Sequence, residues 1–151
     1  MSTTDLPDIA GVLAQVIQRV PVDRVPLLLA IAERLAAQRY RDWADAAPEH
    51  RDGLLACAAR EEEIAGRIEA LDPNAAAVQR QIQDANPELL EINRTLFAGR
   101  PLAQQFAIQA QGERLGAATW RSFARQVPAA RDTFLACAAL EESSASFLES
   151  L

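Results

Sequence analysis

Four glutamates fall where a helical chain would bury its side chains. Glu33 shares the three-to-four spacing of Ala30, Ala37, Tyr40 and Ala44. Glu113 stands in the same relation to Ala110, Ala117, Trp120 and Ala124. Glu61 interrupts the stripe Leu54, Ala58, Ala65 and Ile68, and Glu141 interrupts Phe134, Ala138, Ala145 and Leu148. Stripes of small and aromatic residues are interior faces, so each glutamate is aimed at a core. Four carboxylates cannot ionise together in an apolar interior without compensation. Metal cations, arginines or protons must offset them.

The elements that bring them together follow from an internal repeat. Residues 7–71 align without a gap on residues 87–151, with 22 of 65 positions identical. LACAAREE at 55–62 recurs as LACAALEE at 135–142, and ERLAAQRYRDWA at 33–44 as ERLGAATWRSFA at 113–124. Pro7, Pro21 and Pro48 recur as Pro87, Pro101 and Pro128. Duplication explains this economically. Ala and Leu dominate while strand-favouring residues are sparse, so the class is all-α.

Each unit opens with a short amphipathic helix, near 8–20 and 88–99. A long helix follows, near 23–46 and 101–126. Pro48 and Pro128 break the chain, and a second long helix runs near 49–71 and 129–150. The short break folds each pair back as an antiparallel hairpin. Glu33 precedes Ala47 by 14 residues and Glu61 follows it by 14. Both therefore lie roughly 21 Å from the turn, at one level. The insert 72–86 begins with the turn signal DPN and continues as a short helix, AAAVQRQIQDA. A connection that long can run the length of the bundle and leave the third long helix parallel to the second. The expectation is one domain over 1–151: a four-helix bundle with one long crossover, two tandem hairpins and extra short helices.

A mid-helix Glu, an aromatic seven residues on, a WA or FA pair, and an A-x-x-E on the partner helix resemble the ferritin and rubrerythrin superfamily. The resemblance covers both repeat units. It implies a ferritin-like bundle in which one Glu from each of two helices and a Glu-x-x-His from each of the others hold a di-iron centre. Carried over by motif, Glu33 and Glu113 would be the single-Glu ligands. Glu61 and Glu141 would begin the Glu-x-x-His pairs, with Glu62 and Glu142 as alternates. Tyr40 takes the aromatic position near the metals. Ile64 and Ser144 stand where the histidines belong; counted from Glu62 and Glu142, the positions hold Ala65 and Ala145. An oxygen-only site favours Mn(II) or Mg(II) and holds Fe(II) less firmly.

Two readings stay open. One is a dinuclear carboxylate site for Fe or Mn, with weak oxidation chemistry. The other is a metal-free scaffold acting as a homo-oligomer or through a protein partner, with the short helices as contact surfaces. In that second case Arg34 would reach Glu62 across the hairpin, and Arg114 would reach Glu142. Glu33 and Glu61 face the small-residue stripes while the arginines lie off them, which tilts the reading toward metal. Glu62 and Glu142 are expected to be solvated or paired with Arg.

Composition excludes much else. Net charge is -6, with all fifteen basic residues Arg, so neither a phosphate-binding stripe nor a catalytic lysine exists. Nucleic acid is not an expected partner. His50 is the only histidine and falls in an expected turn. No segment reaches the roughly 18 apolar residues of a membrane span, and a bacterial, cytoplasmic setting is expected. Cys57 and Cys137 are then reduced thiols buried among alanines. Trp43 and Phe123 are expected to pack on the short helices.

Overall fold

A computed structural model describes residues 6–151, apart from the side chains of Ile92 and Asn93. Residues 1–5 of the expected domain lie outside the described residues. The chain forms α1 (Ile9–Ile17), α2 (Val25–Ala46), α3 (Arg51–Glu69), α4 (Ala75–Ala85), α5 (Leu89–Phe97), α6 (Leu102–Gln126) and α7 (Arg131–Glu149). Asp8 caps α1, accepting from the Gly11 N–H at 3.0 Å. Gly99, at φ 74°, takes the left-handed geometry that glycine tolerates just beyond α5. Pro48 and Pro128 open single 3-10 turns, Pro48–His50 and Pro128–Ala130. Those turns delay the second long helices to Arg51 and Arg131, two residues later than expected from sequence.

α2 pairs with α3, and α6 with α7, as two long antiparallel hairpins packed on one another. Contacts between hairpins fix their directions. The Phe147 ring lies against Gly53, where a Cβ would collide with it, and Arg60 Nε donates to Ser144 Oγ at 3.0 Å. α3 and α7 therefore run antiparallel. On the other side, Trp43 donates to Gln105, and Arg39 to Gln109, so α2 and α6 are antiparallel too. α6 consequently runs parallel to α3. The chain between them builds α4, which lies on α2, and α5, which touches α1 and α6. Gln79 Nε2 donates to the Leu27 carbonyl at 3.3 Å, holding α4 in place.

The interior divides into two apolar clusters. One gathers Leu27, Leu28, Ile64, Ile68, Trp120 and Phe134. The other gathers Tyr40, Trp43, Leu54, Phe97, Phe106 and Leu148. On α2, α3 and α6 the glutamate falls between residues of one cluster and residues of the other. On α7, Glu141 separates Phe134, Cys137 and Ala138 from Leu148. The carboxylates thus form a polar layer across the middle of the core. Trp43 packs edge-on against Phe97 of α5 as expected, at 5.8 Å between centroids. Phe123 instead joins Trp120 and Phe134.

Candidate metal centre

Each long helix contributes one carboxylate to the polar layer. Carboxylate oxygens of Glu33, Glu61 and Glu141 lie within 4.8 Å of one another. Glu61 is 0 % exposed, and among the described residues no amide, hydroxyl or guanidinium group donates to its oxygens, whose hydrogen-bond neighbours are the Glu33 and Glu113 carboxyls. Glu113 is equally buried. Its Oε1 accepts from Tyr40 Oη at 2.6 Å and from Gln109 Nε2 at 2.8 Å, while its Oε2 has no donor among the described residues. Glu141 Oε1 accepts from Trp120 Nε1 at 2.9 Å. Glu33 is half-buried and faces a cavity under α1.

Such crowding favours protons. Burial, followed by the charge of Glu61, holds the Glu33 carboxyl far above the ordinary carboxylate range. Burial and then Glu113 do the same for Glu61; burial and then Glu33 do it for Glu141. Burial also raises the Tyr40 phenol, reinforced by Glu113, so Tyr40 stays a proton donor to that carboxylate. Among the described residues, Arg39 is a cation that acts on Glu113, Glu61 and Glu33. Arg39 sits over the Phe97 ring at 4.0 Å and donates to Gln109 at 2.6 Å. Burial lowers its guanidinium to about 10, opposed by Tyr40, Glu113, Glu61 and Glu33. A single guanidinium cannot balance four carboxylates, so protons or cations must offset the rest. Such a cluster could hold a metal cation in place of the protons.

Arg34, Arg41, Arg114 and Arg121 face outward. Arg34 pairs with Glu62 and Glu69, and Arg41 with Glu62. In the second unit Arg121 pairs with Glu142, while Arg114 takes Glu149 rather than the expected Glu142. Glu62 and Glu142 are thus engaged on the bundle exterior, where such pairs add little stability. Ile64 is fully buried as an apolar filler. Ser144 is buried and accepts from Arg60, whose Nη2 also donates to Cys57 Sγ at 3.3 Å. Both cysteines are buried and free, and burial raises both thiols, Cys137 to about 12. They are inert toward nucleophilic chemistry at neutral pH.

Sequence reasoning brought the four glutamates to one level and missed what orients them. Arg39, Gln109 and Gly116 have Thr119, Leu29 and Ala36 at the equivalent positions of the other unit, so repetition gave no signal. Gly116 has a direct role. A Cβ there would lie 2.5 Å from Glu141 Oε1 and 2.8 Å from its carboxyl carbon. Gly116→Ala is therefore expected to push the Glu141 carboxylate out of the cluster. Ala36 shows that alanine suits this point of the helix, so metal-free folding should survive. Mn(II) affinity, measured by titration, should drop about 10-fold or more.

Comparison with family models, curated proteins and solved structures returned no match. No described helix is long and apolar enough to cross a membrane.

Proposed function

We propose that Glu33, Glu61, Glu113 and Glu141 hold a dinuclear centre of Mn(II) or Fe(II) in a bundle of ferritin-like type. The observation that carries this reading is the set of buried carboxylate oxygens without donors, at Glu61 and Glu113. Buried acidic oxygens without such donors are costly, and a cation taking the place of their protons would satisfy them. The donors are all oxygen, which suits hard divalent ions such as Mn(II). When bound, such a pair of ions supplies Lewis acidity and, as iron or manganese, one-electron chemistry.

The protein's own part is to hold the donors still. Tyr40 and Gln109 fix one oxygen of Glu113. Trp120 fixes Glu141, and the bare backbone at Gly116 makes room for it. Apolar clusters close the layer along the bundle axis on both sides, and the cavity under α1 leaves Glu33 half-exposed. Such supporting contacts set ligand orientation and metal affinity.

A metal-free scaffold is the second reading, and Arg39 favours it, since this cation faces the acids and protons can neutralise the rest. Function would then lie in self-association or a protein partner. α5, where Leu90 is exposed, offers a surface for it. A titration of Mn(II) followed by the electron-spin signal of the free ion separates the two. The metal reading expects uptake of about two ions per chain, with strong loss in Glu33→Ala. Free ion at every addition would leave only the scaffold.

A further inference from the structure

We propose that a small, uncharged and largely apolar organic molecule binds in the cavity beneath α1, with one end against the carboxylate centre. The position of that end rests on the metal reading; the cavity itself does not. It has a volume of about 420 Å³, within the range of small-molecule sites. At about 30 Å³ for each water-sized group, it accepts on the order of a dozen non-hydrogen atoms.

The cavity exists because the two sides of the bundle are packed differently. α3 and α7 close on each other through Gly53 and Phe147. α2 and α6 are bridged by long side chains, Tyr40 to Glu113 and Arg39 to Gln109. Between those bridges and α1 stand small residues, among them Ala32, Gly112 and Gly116. Leu13, Ile17, Leu29 and Ile108 supply apolar walls. Glu33, Glu113 and Glu141 reach its surface. Glu33 is the half-buried acid on its wall, with Arg39 and Gln109 beside it, while Glu113 and Glu141 are closed off behind, so polar groups end an otherwise apolar chamber. That combination fits a molecule with a greasy body and one coordinating or hydrogen-bonding end.

Gly112 lines the cavity as well. A Cβ built there meets nothing within 4 Å, although the residue lies inside the 25-residue helix α6. Glycine weakens a helix interior relative to alanine. Packing does not demand it here; its effect is to leave the chamber open.

1-Naphthol is a probe of suitable size. It would be titrated into the full chain with and without Mn(II), following tryptophan emission, since Trp120 lines the cavity. Saturable one-site binding is expected, and Gly112→Leu should weaken it at least tenfold while Mn(II) uptake and the melting temperature hold or rise. Leu13→Trp fills the chamber from α1 and should do the same, so misfolding of one variant leaves the other to decide. Bound Mn(II) should sharply accelerate proton relaxation of the bound naphthol. No saturable binding, or equal binding by both filled variants, overturns the proposal. Mn(II) uptake without naphthol binding would overturn the cavity alone. Naphthol binding without Mn(II) uptake would uphold the chamber and overturn its metal neighbour.

Discussion

Metal-free protein is expected to melt at a higher temperature near pH 5 than near pH 8, and Mn(II) to reverse that order. The sign follows from the raised carboxyls. Glu33, Glu61 and Glu141 hold protons in the folded state at pH values where the unfolded chain, with carboxyls near about 4.3, has released them. Between the unfolded value and the raised folded values the native state binds more protons, so stability falls as pH rises through that window. Arg39, still charged across it, softens the fall. Glu69, drawn down by Arg34, works in the opposite sense: its contribution is present above the unfolded value and lost as pH falls below it. A stability maximum on the mildly acid side is the result. A bound cation takes the place of the protons, so affinity grows with pH and binding releases protons. At a free Mn(II) concentration 100 times its dissociation constant, the gain is about 2.7 kcal/mol. For a domain of this size that raises the melting temperature by roughly 5–10 °C. Calorimetric melting at the two pH values, with chelator and with Mn(II), checks both halves.

Replacing Glu61 by leucine is expected to stabilise the metal-free protein and to abolish metal uptake. Glu61 is fully buried with no amide, hydroxyl or guanidinium donor to either oxygen among the described residues; the residues of its helix stripe, Leu54, Ala58, Ala65 and Ile68, are buried and apolar, and the carboxyls of Glu33 and Glu141 lie beside it. Removing an unsatisfied buried polar group recovers about 1–3 kcal/mol, hence a rise of roughly 2–12 °C in chelator at pH 8. The exchange of a carboxylate for an isobutyl group keeps the volume close, which limits the packing cost. In the same variant Mn(II) should no longer raise the melting temperature. Most core substitutions destabilise, so a gain in one state coupled to a loss of ligand response marks a residue kept for binding. A variant that melts lower in chelator would mean that Glu61 is satisfied by partners within the fold.

The architecture was legible because it is written in local signals that repeat. Pro48 and Pro128 place the hairpin turns, and equal distances from the turn level Glu33 with Glu61. The 29 residues between Leu71 and Pro101 allow α6 to run parallel to α3. The carboxylate layer was legible because each glutamate breaks a stripe of small residues. What lay hidden depends on contacts between the hairpins, which no helical periodicity encodes. Arg39 looks like a surface residue by its spacing, yet it folds inward over Phe97. Gly116 reads as a weak helix position until the Glu141 carboxyl is placed beside it. The gap between α2 and α6 follows from how far two helices stand apart, a quantity set by Tyr40, Arg39 and their partners across the core.

Elemental analysis of the full chain, purified without an affinity tag, loaded with Mn(II) and passed through gel filtration, decides whether the buried glutamates hold metal. About two ions should remain per chain, and none in the Glu61→Leu variant. Wild-type protein that emerges metal-free, with its melting temperature indifferent to chelator, would contradict it.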